Sequence, residues 1–353
     1  MNEAAMSTNK NILVTGGAGY VGSVCSEVLL DQGHEVIVAD NLQNGKREAV
    51  LGPARFYEVD ICDQAAVRHL FQRERIDAVM HFAALADVTT SVKNPHHFLQ
   101  NNVSGTLNLL GAMLEHGVRD LIFSSTAAVY GEPQSVPIDE NHLKCPVNSY
   151  GESKLATERM LAWYASAYGF RCVSLRYFNA AGATIRLGED RSSESHLIPC
   201  LLDVALGKKP DIAIYGSDYS TKDGTCVRDY VHVLDIVSAH VHCLEHISEL
   251  KFDVFNVGHG IGYTVQEVLQ EARQVTNCPI PARRVAPRPG DPAVLVATPE
   301  KLTRAVGWRP LRSKLRNIIE DAWAWRLAHP NGYNPPVVAE GQETATVAQN
   351  VVN

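Results

Sequence analysis

Tyr150 and Lys154 could together remove a proton from a hydroxyl. They lie in the run Ser149-Tyr150-Gly151-Glu152-Ser153-Lys154. Four residues apart on a helix, both side chains face the same way. A tyrosine with an ordinary pKa of about 10 is a poor base at neutral pH, but a lysine ammonium close by stabilises the phenolate. The same lysine can hold the ribose of a nucleotide cofactor. Ser149 with Glu152 also reads as a capping box that opens the helix. A hydroxyl bridging substrate and Tyr150 is expected from Ser124-Ser125-Thr126, where an apolar strand ends, and Thr126 is the choice among the three.

Thr15-Gly16-Gly17-Ala18-Gly19-Tyr20-Val21-Gly22 follows a short apolar run and opens an amphipathic one. Gly16, Gly19 and Gly22 serve a tight turn, close approach of backbone to a pyrophosphate, and helix packing on the strand. Asp40 ends the next strand, where a carboxylate accepts ribose hydroxyls and repels a 2′-phosphate. That favours NAD over NADP. Lys46 and Arg47 lie several residues further on and read as solvated charges at a helix start. Asp60-Ile61, after a third strand, is expected to receive the adenine.

These residues need a sheet behind them. Apolar strands are expected over 11–15, 35–40, 55–59, 78–82, 120–124 and 171–177, with amphipathic helices over 19–32, 64–73, 95–116 and 149–168. Continuous apolar strands between such helices predict a doubly wound parallel α/β sheet, a Rossmann-type domain, covered on both faces. After about 179 the rhythm loosens around helices near 196–206, 235–246 and 264–275. The expected division is a nucleotide-binding domain over 10–180, to which about 230–260 returns, and a smaller mixed substrate lobe over 181–334. The aperiodic tail 335–353 is expected to be disordered.

The 353 residues carry 32 Lys+Arg against 39 Asp+Glu, a net charge of −7, so nothing argues for nucleic acid. No apolar run reaches the ~20 residues of a membrane span, and residues 1–10 lack an apolar leader. Eight cysteines without a CxxC pair suggest reduced thiols and a cytoplasmic protein. The fourteen histidines form no spaced ligand set, so no metal is expected, and His81 on its apolar strand reads as a core residue.

With TGGAGYVG at 15–22, HFAAL at 81–85, NNVSGT at 101–106, FSSTAAVYG at 123–131, YGESK at 150–154, LRYFNAAG at 175–182, GTCVRDYVHV at 224–233 and APRPGD at 286–291, the chain resembles the extended short-chain dehydrogenase/reductases. Within them it is most similar to the UDP-hexose 4-epimerases, from about residue 11 to 334. The resemblance implies Tyr150 as base, Lys154 as its electrostatic partner and Thr126 as proton relay. It also implies a cofactor site lined by Gly16, Gly19, Tyr20, Val21, Gly22, Asp40, Asn41, Leu42, Asn44, Asp60, Ile61, Phe82, Ala83, Leu85, Asn101 and Phe178. Asn179, Leu197, Ala213, Tyr215, Arg228, Arg288 and Asp291 would hold the UDP-sugar, with Leu295 against the sugar's 2-substituent. The two arginines suit a diphosphate, which needs fixed, forked donors.

The implied reaction oxidises carbon 4 to a ketone, turns the sugar, and returns the hydride to the other face. Tightly bound NAD is thereby regenerated in each turnover. Two departures from the family pattern stand out. Ala86-Asp87 occupies a loop where several relatives carry lysine, and Thr126 replaces the serine of some. A UDP-pentose or UDP-glucuronate 4-epimerase, a dehydratase and a non-catalytic NAD-binding scaffold remain as alternatives. Ala127-Ala128 speak against the dehydratase, which needs an acid and a base there. The stripes Val103, Leu107, Leu110, Leu114 and Leu155, Met160, Trp163, Tyr164 suggest a homodimer through a four-helix interface, as the resemblance implies.

Overall fold

The computed structural model describes residues 9–191, 194–288 and 291–334. The tail expected to be disordered therefore lies outside the described residues. Strand β1 (Asn11–Thr15) runs into helix α1 (Tyr20–Asp31). Then follow β2 (Glu35–Asp40), β3 (Arg55–Glu58), α2 (Gln64–Arg73), β4 (Ala78–His81), α3 (Val88–Lys93), α4 (Pro95–Leu99), α5 (Gly105–Glu115) and β5 (Asp120–Thr126). Next are α6 (Ser149–Tyr168), β6 (Arg171–Tyr177), β7 (Asn179–Ala181), α7 (Leu197–Ala205), β8 (Ile212–Tyr215) and β9 (Val227–His232). The chain continues through α8 (Val233–Glu245), α9 (Ile247–Leu250), β10 (Phe252–Val257), β11 (Gly262–Thr264), α10 (Val265–Thr276) and β12 (Ala282–Val285). It ends with β13 (Val294–Leu295), α11 (Glu300–Val306) and α12 (Leu315–Ala328).

Seven strands form one parallel sheet in the order β10-β6-β5-β4-β1-β2-β3. Alternation along each strand feeds two cores, because successive side chains leave opposite faces. Ile12, Val14, Val38, Met80 and Ile122 pack with Val24 and Leu29 of α1 and Ile236 and Val237 of α8. Leu13, Ile37, Val79 and Leu121 pack on the other face with Leu70 of α2, Leu109 and Leu110 of α5 and Leu161 of α6. Each of these fully buried side chains contributes about 1.5–3 kcal/mol, so both helical layers are held firmly. A doubly wound α/β fold is what the apolar runs predict.

The smaller part is built on β9, which pairs with β7, β11 and β13, and on the pair β8–β12. Helices α7, α10 and α12 cover it through Leu201, Leu269 and Ile318.

The expected helix over 95–116 is interrupted. Residues 100–104 form a π-helical turn between α4 and α5. The turn frees the side chains of Asn101 and Asn102 to bond inward, a use of local strain common beside functional sites. The capping box expected from Ser149 and Glu152 is absent. Asn148 is the N-cap, accepting from the Gly151 N–H at 2.8 Å, while the Ser149 hydroxyl donates to the Ser91 carbonyl at 2.5 Å. All eight cysteines are free thiols, and among the described residues no helix is long and apolar enough to cross a membrane.

Candidate active site

The carboxyl ends of the parallel strands gather most of the expected residues. Between β1 and α1, Gly16 has φ +71°, and a Cβ there would meet the Ala83 amide nitrogen at 2.5 Å. A Cβ on Gly22 would meet the Gly16 carbonyl oxygen at 2.2 Å. Helix α1 starts at Gly19 with no side-chain cap and no acidic residue in its first turn. Its first amides therefore have no side-chain cap, which suits a phosphate. Val21 stands half-buried in that turn, and Tyr20 anchors it by donating to the Gly182 carbonyl at 2.6 Å.

Asp40 ends β2 with its carboxylate accepting from the Leu42 N–H at 2.8 Å and the Ala18 N–H at 3.1 Å. Burial pushes its pKa up, and those two bonds oppose the shift. Leu42 takes the left-handed conformation, φ 57°, to make its bond. Asn41 donates to Asp60 at 3.1 Å, and Asn44 is exposed. Burial raises the Asp60 carboxyl, but hydrogen bonds from Cys62 and Asn41 prevail and hold it below the usual range. Ile61 is buried under Gly105. Of the two basic residues expected to be solvated, Arg47 lies 4.5 Å over the Phe56 ring.

After β4, the Phe82 ring lies tilted against His240 of α8 with centroids 4.7 Å apart, and Ala83 abuts Gly16. Asn102 clamps Leu85 by accepting from its N–H at 2.8 Å and donating to its carbonyl at 3.0 Å. Asn102 also donates to Ser153 of α6 at 2.9 Å, and Asn101 donates to Asn102 at 3.0 Å. Sequence reasoning named Asn101 and missed Asn102; the doubled asparagine before a small-residue run was the available signal. It also missed Gly45, where a Cβ would meet Asp40 Oδ1 at 2.8 Å. His81 is buried as expected, bonded to Thr15 at 2.7 Å and Thr106 at 2.8 Å, and burial brings its pKa down to about 3.

At the end of β5, Thr126 accepts from the Ala128 N–H at 3.1 Å. Burial raises the Tyr150 pKa, while the Thr126 hydroxyl and the Arg191 guanidinium pull it back. Lys154 lies one helical turn further along α6. Its ammonium donates to the Ser124 carbonyl at 2.8 Å and sits 4.7 Å over the Phe123 ring, and burial brings its pKa down to about 7. An ammonium has three donors, so the bond to the strand end leaves two for other partners.

Beside Tyr20, Glu189 Oε1 accepts from both Arg191 Nε and His196 Nδ1 at 2.7 Å. With Glu194 these side chains bring potential metal-ligating atoms within 4.8 Å of one another. The Glu189 carboxylate raises the His196 pKa, so the imidazole acts as a donor and the group is an internally compensated ion-pair knot.

Phe178 and Asn179 lead from β6 into β7, and Leu197 begins α7. Arg228 on β9 is buried and paired with Asp291, and its guanidinium also donates to the Val227 carbonyl at 2.7 Å. Arg288 lies 4.1 Å over the Tyr215 ring on β8, which also carries Ala213. Leu295 sits opposite Arg228 in the β13–β9 register and, like Phe178, packs against the cluster that includes Tyr130 and Leu155. Leu155 belongs to α6, so this cluster joins β13 and β9 to the helix that carries Tyr150 and Lys154. Sequence reasoning missed the residue that holds them there. Asp229 accepts from the His259, Gly260 and Ala297 amides at 2.8, 3.0 and 3.2 Å, and burial lifts its pKa to about 7.

Comparison with known proteins fits this arrangement. A UDP-glucose 4-epimerase of Halalkalibacterium halodurans is 50% identical over 326 residues, covering 92% of this chain and 97% of the relative. A crystal structure of a UDP-glucose 4-epimerase superposes with TM-score 0.90 at 47% identity, covering 92% of this chain and 100% of that one. The Brucella ovis UDP-glucose 4-epimerase in complex with NAD superposes with TM-score 0.86 at 42% identity, covering 89% and 97%. Residues 12–258 match the model of the NAD dependent epimerase/dehydratase family, and the chain belongs to that family.

Proposed function

We propose that the protein inverts carbon 4 of a UDP-hexose, interconverting UDP-glucose and UDP-galactose. The observation that carries this is that Lys154, one helical turn from Tyr150 on α6, is tied to the end of β5 that Thr126 closes, in a sheet whose β1 runs into an uncapped, glycine-walled helix start. Near-half identity to UDP-glucose 4-epimerases over nine-tenths of the chain supports the choice of reaction.

The residues fit NAD. The amides at the start of α1 would meet the pyrophosphate, Asp40 the adenosine ribose, Asp60 and Ile61 the adenine, and Lys154 the nicotinamide ribose. Bound NAD supplies a hydride acceptor at carbon 4 that also gives the hydride back. Tyr150 takes the 4-hydroxyl proton, directly or through Thr126, and returns it after the sugar has turned. Arg228 and Arg288 grip the diphosphate, with Asn179, Leu197, Ala213, Tyr215 and Asp291 around the nucleotide. Firm hold on the UDP end and a loose hold on the sugar are what rotation requires. The test is incubation with UDP-galactose, UDP-N-acetylgalactosamine, UDP-arabinose and UDP-glucuronate in separate reactions, with epimers resolved by chromatography. The expected outcome is rapid conversion of UDP-galactose; conversion of only a pentose or uronate would replace the hexose in this reading.

Leu295 sets the sugar preference. Leucine is smaller than an aromatic ring and offers no hydrogen bond, so it admits an N-acetyl group only by repacking. Overpacking costs about 1–3 kcal/mol, or roughly 5- to 150-fold in rate. Leu295→Ser is expected to raise turnover of the N-acetyl pair and Leu295→Tyr to abolish it, measured as the ratio of rates on the two sugars. An unchanged ratio in both variants removes Leu295 from the 2-position.

The protein is also proposed to dimerise through α5 and α6. Leu110 and Leu155, expected on the interface stripes, instead pack in the core. Leu107 is 47% exposed and Trp163 75%, and these leave an apolar face for a second copy. Light scattering at micromolar concentration is expected to give a dimer mass, and Trp163→Glu a monomer. A monomeric wild-type protein would end this proposal.

A further inference from the structure

Beneath the catalytic rim lies a buried charged network that the proposed reaction does not use. Glu158 stands one helical turn beyond Lys154 on α6, as Lys154 stands one turn beyond Tyr150. Its carboxylate accepts from Arg176 Nε at 2.9 Å and Nη2 at 2.6 Å, a forked pair with both side chains at most 5% exposed. Glu158 also accepts from the Ser125 hydroxyl at 2.5 Å. Arg176 passes the network on, donating to the Tyr130 hydroxyl at 2.8 Å, which donates to Asn256 at 2.6 Å.

The end of β5 is therefore tied to α6 at two successive residues. The Ser124 carbonyl holds Lys154, and the Ser125 hydroxyl is held by Glu158. A buried ion pair costs desolvation and is weak evidence for stability alone, so its placement here asks for another use.

We propose that Glu158, locked by Arg176 and Ser125, is a positioning residue for the Tyr150–Lys154 pair, fixing the end of β5 against α6 and keeping Lys154 an ammonium. The inference rests on the reading of Tyr150 and Lys154 as the working pair. Burial drives the Lys154 amine towards neutrality, and the Glu158 carboxylate opposes it. The other groups facing this region are His81 on β4, Arg176 and Tyr177 on β6, Tyr130 after β5, and Glu140 and Lys144 in the following loop, with Lys301 on α11 beyond them. His81 is neutral, so Glu158 is the group that opposes burial at Lys154, and Arg176 is the cation bonded to that carboxylate.

Glu158→Gln leaves Arg176 a buried cation without its carboxylate, and Lys154 is expected to lose its proton about one pH unit lower. Arg176→Gln leaves the carboxylate without its guanidinium, and the titration is expected to move about one unit higher. These opposite signs separate the proposal from simple destabilisation, and either variant decides it if the other does not fold. The titration is read on the purified protein by NMR of 13C-labelled lysine, with Lys154→Met assigning the signal. The alkaline limb of the turnover–pH profile is expected to move in the same direction. An unmoved Lys154 titration in a folded variant, or a loss of turnover equal at all pH values, overturns the proposal. Titrations that move as stated in a protein that epimerises no UDP-sugar would keep the positioning role and overturn the proposed function.

Discussion

Tyr150→Phe is expected to lower turnover about 10²–10⁴-fold while leaving bound NAD in place. The phenyl ring keeps the half-buried volume of the tyrosine, so α6 and its seat on β5 are preserved. What is lost is the hydroxyl proposed to exchange a proton with the sugar. General acid–base catalysis contributes about 10²–10⁴-fold, equivalent to ~3–5 kcal/mol of barrier. Turnover of UDP-galactose, NAD content after gel filtration and the melting temperature together isolate the chemical step. Turnover close to wild type would mean that another group is the base, and a loss of NAD would mean that the hydroxyl serves binding instead.

Gly16→Ala is expected to strip the protein of NAD, at least about tenfold less being retained after gel filtration. Two costs meet at this position. An alanine at φ +71° pays the left-handed penalty of about 1–2 kcal/mol. Its Cβ would also lie 2.5 Å from the Ala83 nitrogen and 2.7 Å from its Cα, and backbone cannot swing aside as a side chain can. The β1–α1 turn or the segment after β4 must shift, and both line the proposed cofactor site. Gly33→Ala is the control, because Gly33 has φ +85° with nothing within 4 Å of the added carbon. It is expected to lower stability by about 1 kcal/mol and to leave NAD content unchanged. Equal NAD content in the Gly16 and Gly33 variants would show that strain alone acts and that the glycine loop does not hold the cofactor.

The features legible in the amino-acid sequence were those with a local period or a local steric requirement. Alternating apolar runs and helical stripes located every strand of the parallel sheet up to β6, because burial on two faces imposes that pattern residue by residue. The three-residue glycine spacing marked the β1–α1 turn, since no side chain fits against the Gly16 carbonyl, and the four-residue spacing of Tyr150 and Lys154 put them on one face of α6. Contacts between distant segments have no such signature, and these the tertiary structure alone decided. That the Lys154 ammonium reaches the strand was not legible; packing of α6 on β5 gave it the Ser124 carbonyl, 30 residues away in the chain. The same packing joined Glu158 to Arg176 and Ser125, turned Leu110 and Leu155 inward, and left Trp163 outside. Asp229 and Asn102 are polar residues whose backbone partners come from loops that only the folded chain brings near. Period and spacing specify which face of an element is apolar and which conformations a turn needs. Which buried donor meets which acceptor depends on how the elements pack, and that is a property of the whole fold.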